Sequence, residues 1–281
     1  MTHISRLRLA NFRNYAELGL AFDARPVCLF GPNGAGKTNL LEAVSQLGPG
    51  RGLRSAAIQT LNQSGADNGW AVSAEIDGRR IGVGLEQNGA TAKRVIRVDG
   101  APASATDLSE LARIVWLTPA MDRVWAGPAS DRRRFLDRQV LAHIPSHGRA
   151  AATYEAAMRE RNALLERGGG DPAWITAIEA RMAEAGAQLA WNRAHVISGL
   201  QSTIDSAADG AFPKADLGLD GASEAAAAEG RDPVEIGRSL MEKWRESRRR
   251  DAAAARTLEG PHRTELTAIH RPTGAPAALA S

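Results

Sequence analysis

An α/β chain, strand-rich in its first half and helical in its second, is expected from three features of the 281-residue sequence. The first is Gly31-Pro32-Asn33-Gly34-Ala35-Gly36-Lys37-Thr38, which reads glycine, four residues, then Gly-Lys-Thr. An apolar run, Val27-Cys28-Leu29-Phe30, precedes it and a helical pattern, Leu40-Leu41-Glu42-Ala43-Val44, follows. That is the strand–loop–helix setting a phosphate-binding loop requires. The second feature is period-two alternation with turn dipeptides up to about residue 100, and the third is its replacement by helical periodicity from residue 131 onward.

Each residue of the loop has a physical task. The glycines let the backbone adopt positive φ and come close, so that successive amides face a polyphosphate. The N-terminus of the next helix adds uncommitted N–H donors and the positive end of its dipole. Lys37 is placed to reach the β- and γ-phosphates of ATP, and the Thr38 hydroxyl to ligate Mg²⁺.

Composition sets bounds on the rest. The chain is long enough for about two domains. With 35 Lys and Arg against 32 Asp and Glu, it is only mildly basic, compatible with nucleic acid but no argument for it. Cys28 is the single cysteine, expected as a small buried residue, and no intrachain disulfide can form, which fits a reducing cytosol. The first 15 residues have no continuous apolar core like that of a signal peptide. No apolar run is long enough to span a bilayer, so no membrane partner and a cytoplasmic location are expected.

In chain order, residues 4–9 alternate as a half-buried strand, 11–15 turn, and 16–22 form a second strand. Pro26 opens a third strand that feeds the loop. Residues 39–47 are helical and Gly48-Pro49-Gly50 ends them. Three strands, 70–76, 80–86 and 94–98, are joined or closed by Asp77-Gly78 and Asp99-Gly100, and form an antiparallel insertion after the first helix. A short helix at 105–111 leads to an apolar strand at 114–117, and a helical turn is expected at 121–125. Helices follow at 131–143 and 150–167, the latter stopped by Gly168-Gly169-Gly170. Asp171 and Pro172 cap a long helix whose Trp174, Ile178, Met182, Ala185, Leu189, Val196 and Leu200 form a coiled-coil-like stripe. Residues 207–229 are weakly patterned and read as a short strand and loop. Residues 233–255 are helical and basic toward their end, 260–263 turn, and strand with hairpin turn is expected at 264–274.

The loop alone specifies a nucleoside triphosphate and no particular function. Its Asn at the third position is typical of ABC-type ATPases, and the strand pair holding Asn11-Phe12-Arg13-Asn14 resembles SMC-like ATPases of chromosome maintenance. Gly50 to Ser55, Leu117-Thr118-Pro119, Gly127-Pro128 with Arg132 to Asp137, Arg161 to Leu165 and Gly260-Pro261-His262-Arg263 resemble, in the same order, the RecF family of bacterial DNA replication and repair proteins. The resemblance runs essentially over the whole chain. It implies a P-loop ABC-type ATPase head with an antiparallel β insertion and an inserted α-helical arm. The N-terminal part of the head would be 1–131, the arm 132–250, and 251–281 an incomplete return to the head. Proteins of this family are slow, DNA-stimulated ATPases that dimerise around ATP and bind single-stranded and gapped DNA. With RecO and RecR they promote RecA loading in gap repair and SOS induction. By the same resemblance, Arg13 and Asn33 would lie beside the terminal phosphate.

The family's heads continue into a signature sequence, an acidic metal-holding strand and a switch histidine, none of which occurs here; Ser281 is expected to be the first signature residue. The chain is therefore expected to be C-terminally truncated, with no catalytic residue for hydrolysis, though nucleotide binding through the loop would remain. Arg51 and Arg54, which follow the loop helix, and Arg132, Arg133, Arg134, Arg248, Arg249 and Arg250 are candidate DNA contacts. The competing reading of the two triplets is a solvated helix face paired to acids such as Asp131, Asp137 and Glu246. The histidines show no metal-ligand spacing. Trp174 and Trp191 read as packing residues of the long helix. Alternatives to the RecF-like reading are a small P-loop kinase, which would not need so long a helical segment, the ATPase subunit of an ABC transporter, and a binding module with a vestigial loop.

Overall fold

The computed structural model describes residues 3–66, 69–88, 91–168 and 171–279. Their contacts divide the chain into two compact units, Met1–Trp116 and Leu117–Ser281.

In the first unit, β1 (Ile4–Phe12) and β2 (Tyr15–Ala21) form a hairpin, and α1 (Lys37–Gln46) follows the phosphate loop. Then come β3 (Ala71–Ile76), β4 (Arg79–Asn88), β5 (Thr91–Val98), β6 (Ala101–Pro102) and α2 (Ala105–Leu111). The strands make one antiparallel sheet in the order β2-β1-β3-β4-β5-β6. The expected insertion therefore extends the N-terminal hairpin: Leu7 pairs with Ala74 and Leu9 with Val72. Alternation puts Leu7, Leu9, Val72, Ala74, Ile81 and Val83 on one buried face, where they join Leu40, Ala43 and Leu108 in a single core. Asp77 and Gly78 have φ of 48° and 76°, and Asp99 and Gly100 of 50° and 87°, the positive pair that tight hairpin turns demand.

Two expected strands are absent. Residues 27–30 and 114–117 lie in neither sheet. Val27 is 57% and Phe30 92% exposed, Val115 and Leu117 are exposed, and Cys28 is exposed rather than buried. An extended apolar segment becomes a strand only when a neighbouring strand pairs with it, and among the described residues neither sheet takes in these segments.

The second unit holds α3 (Ala129–His143), α4 (His147–Glu166), α5 (Pro172–Ser206), β7 (Ala215–Asp220), α6 (Ala222–Ala228), α7 (Pro233–Ala253), β8 (Glu265–His270) and β9 (Ala275–Pro276). Its small sheet runs β7-β8-β9. The glycine stop at 169–170 and the signature start at Ser281 lie outside the described residues. Asp171 caps α5 by accepting the Ala173 amide at 2.8 Å. The inward stripe of α5 runs through Ile175, Ile178, Met182, Leu189 and Val196. Both tryptophans expected to pack are exposed instead: Trp174 is one residue off that stripe, and Trp191 stacks on the exposed His195 one turn away, ring centroids 5.2 Å apart. Helix α6 was not legible as a helix; its alanines offer little periodic contrast.

Tyr154, Met182, Leu240 and Trp244 centre the main helical core. Beside it Arg161, fully buried, donates to Glu179 at 3.0 Å, Asp251 at 2.8 Å, the Thr257 hydroxyl at 2.9 Å and the Trp244 carbonyl at 3.0 Å. A charge so deep is tolerated because four of its five N–H donors are taken, two of them by carboxylates. Gly260 has φ of +135°, and a Cβ there would stand 2.7 Å from Tyr154 Oη, so only glycine lets the chain pass this close. Among the described residues no helix is long and apolar enough to cross a membrane.

Candidate nucleotide site

Gly31, Gly34 and Gly36 all carry positive φ, at 143°, 84° and 102°. The chain from Gly31 to Ala35 is exposed and turns at Pro32, whose carbonyl accepts the Ala35 amide at 3.3 Å. Gly36 is the left-handed N-cap of α1 and no side chain caps that helix. The first-turn amides of α1, including those of Lys37 and Thr38, are therefore open to an anion. Lys37 Nζ lies over the loop and donates at 2.8 Å to the carbonyls of Gly31 and Pro32, contacts a phosphate oxygen would replace. The Thr38 hydroxyl is on an exposed side chain at the same end. These donors fit a polyphosphate, and one hydroxyl beside phosphate oxygens is the kind of ligand set Mg²⁺ takes.

The side chains behind the loop were not all legible in the sequence. Gly36 is pressed from behind: a Cβ would meet Asn14 Nδ2 and Tyr15 Oη, each at 2.6 Å. Asn14 Oδ1 accepts from Asn39 Nδ2 at 2.8 Å, and Asn39 Oδ1 accepts from Arg54 Nη1 at 2.9 Å. At the centre sits Glu42, fully buried on α1, which takes Arg13 through two 2.9 Å bonds and Arg54 through a third. Arg13, in the left-handed region at φ 54°, also donates to the Thr60 carbonyl at 2.9 Å. Arg13 is thus turned onto Glu42 and ties the β1–β2 turn to the loop helix. The helix carrying Glu42 was visible in the sequence; its burial was not, nor were its partners 29 and 12 residues away.

The candidate DNA-contacting arginines separate by partner. Arg132 bonds Glu265 at 2.7 Å, and Arg248 clamps the buried Glu179 at 2.6 Å. Arg54 is held by Glu42 as above, while Arg134 pairs with Asp131 and Arg250 with Glu259 at the surface. Surface pairs of this kind are weak and open readily. Arg51, Arg133 and Arg249 have no carboxylate in hydrogen-bond contact among the described residues. Among the described residues no three His, Cys, Asp or Glu side chains cluster to hold a metal.

Comparison with known proteins agrees with this geometry. The family model for an AAA domain matches residues 6–48, which include the loop. The chain is 48% identical over 286 residues to the DNA replication and repair protein RecF of Mesorhizobium japonicum, covering 100% of this chain and 75% of that protein. It is 48% identical over 288 residues to RecF of Brucella suis biovar 1, covering 99% and 73%. Two solved structures of the recombination mediator RecF in the RecFOR pathway share the fold. The one with ATP has a TM-score of 0.83 at 21% identity over 100% of this chain and 76% of that one. The one with ATPrS has a TM-score of 0.80 at 22% identity over 95% and 73%. Fold and loop together define an α/β P-loop ATPase of the ABC type. Within that class, the chain belongs to the RecF family of DNA replication and repair proteins.

Proposed function

We propose that this chain binds Mg-ATP through residues 31–38 and uses the nucleotide as a switch for DNA repair. In the full-length protein the γ-phosphate differs between bound and hydrolysed states, so it would bias a dimer on DNA against a released one; this chain would contribute the nucleotide-binding loop. The DNA would be single-stranded or gapped duplex, and RecO and RecR would be the proteins acting with it to load RecA in gap repair and SOS induction. Membership of the RecF family supports these partners and a cytoplasmic location. Residues 1–131 would belong to the ATPase head, 132–250 to the arm, and 251–281 to the head again. The observation that carries the reading is the uncapped start of α1 behind a glycine loop, with Lys37 lying over it. A fluorescent Mg-ATP titration tests it. Lys37→Ala is expected to weaken binding at least about tenfold, a loss of about 1.4 kcal/mol or more, with unchanged far-UV circular dichroism. Equal binding by both proteins overturns it.

A further inference from the structure

A cleft of about 430 Å³ opens between α3, α4 and α5 in the second unit, and six of its lining residues are Arg133, Arg134, Tyr154, Arg159, Arg193 and His262. Three of its four guanidinium groups have carboxylates: Arg193 holds Asp137 and Glu224, Arg134 pairs with Asp131 at the surface, and Arg159 lies near Glu155; Arg133 has none among the described residues. Asp137 is spent on Arg193, at 2.7 and 3.0 Å, and on His147 at 3.2 Å. Glu155 lies 3.8 Å from Arg159, a surface pair whose arginine is 70% exposed. Arg133 has only a carbonyl, Thr264 O at 3.2 Å. Glu265, whose charge also reaches it, is bonded to Arg132. Burial lowers the affinity of Arg133 for its proton, and the neighbouring charges of Arg193 and Arg263 press in the same direction. A half-buried cation among cations is short of an anion.

His262 does not supply the missing partner. Its Nε2–H donates to the Thr257 carbonyl at 3.0 Å, so its Nδ1 accepts the Tyr154 hydroxyl at 2.8 Å. Both nitrogens are used, and the ring is a neutral wall. The anion site is therefore made by guanidinium groups from two helices, Arg133 and Arg134 on α3 and Arg159 on α4, beside an apolar floor of Met158 and Leu189. Arginine forks suit phosphate oxygens in pairs, and an apolar floor suits the sugar and base attached to them.

We propose that this cleft binds a backbone phosphate of nucleic acid, with Arg133 and Arg159 as its principal contacts. The proposal rests on the DNA-binding reading above and deepens it by assigning a place. It separates Arg133 from Arg132 and Arg248, which are committed to carboxylates.

The test is DNA binding by the full 281-residue chain, followed by fluorescence anisotropy across a salt series. Arg133→Gln and Arg159→Gln are each expected to weaken binding roughly tenfold and to lower the slope of log affinity against log salt by about one. Arg245→Gln, an exposed cation on α7 outside the cleft, is the control for general charge loss. Thermal unfolding midpoints establish that the variants fold, and Arg159→Gln alters only an exposed side chain. If wild type binds DNA and both cleft variants behave like Arg245→Gln, the proposal is overturned. If wild type binds no DNA, the DNA-binding reading falls. Titration with inorganic phosphate then judges the cleft separately: stabilisation of wild type that is lost in Arg133→Gln supports a phosphate site there, and equal behaviour of the two rejects it.

Discussion

Asp137 shows how one residue gathers charge from distant parts of the chain. Burial raises the affinity of its carboxyl for a proton, but the hydrogen bond from His147 and the charge and hydrogen bonds of Arg193 outweigh that and hold its pKa at about 2. Because the folded value lies below the ordinary 3.8, the stabilisation is full above pH about 4 and is lost as pH falls toward about 2. Asp137→Asn is expected to cost about 1–2 kcal/mol near neutral pH, since part of the side chain still faces water. It is also expected to flatten the acid limb of the stability curve between those pH values, measured by urea unfolding. Unchanged stability with an unchanged acid limb would refute this. None of the pairing was readable from the residue itself: Arg193 is 56 positions away. The phosphate loop was readable in full, because its chemistry is contained in eight consecutive residues.

At the level of elements, the helices of the second unit are joined by buried ions as well as by apolar stripes. Arg161 of α4 reaches Glu179 on α5 and Asp251 on α7, with Trp244 of α7 packed beside them. Removing the cation leaves two buried carboxylates, although Arg248 still neutralises one of them. Arg161→Met is therefore expected to destabilise the chain by about 3–5 kcal/mol, read as a fall in the urea midpoint. A loss below about 1 kcal/mol would show that the cluster behaves like an exposed pair. The bounds of α3, α4, α5 and α7 were legible to within a few residues, and for α5 also its cap. Trp174 was misplaced because heptad spacing fixes a face only to within one position, and α6 because alanine-rich sequence lacks contrast.

Over the whole molecule, residues 27–30 and Ile114, Val115 and Leu117 are apolar yet lie outside both sheets. Their amides are expected to exchange with solvent orders of magnitude faster than those of β3 and β4 in a hydrogen-exchange experiment. Exchange as slow as in β3 would mean that these segments are paired after all. Contact grouping places 251–279 with the helices of the second unit, whereas the sequence partition treats 251–281 as a return to the head.

The residues alone pointed to the phosphate loop, the antiparallel β character of the first unit and the helical character of the second. Each is written in neighbouring residues: glycine and lysine spacing, alternation, turn dipeptides, caps and heptads. Pairing was decided in space. Only the folded chain joined β1 to β3 in a single sheet, turned Arg13 and Arg54 onto Glu42, buried Arg161 among carboxylates and left Arg133 without one. Charge pairing and strand pairing depend on what arrives from far along the chain, and local sequence carries no record of that arrival.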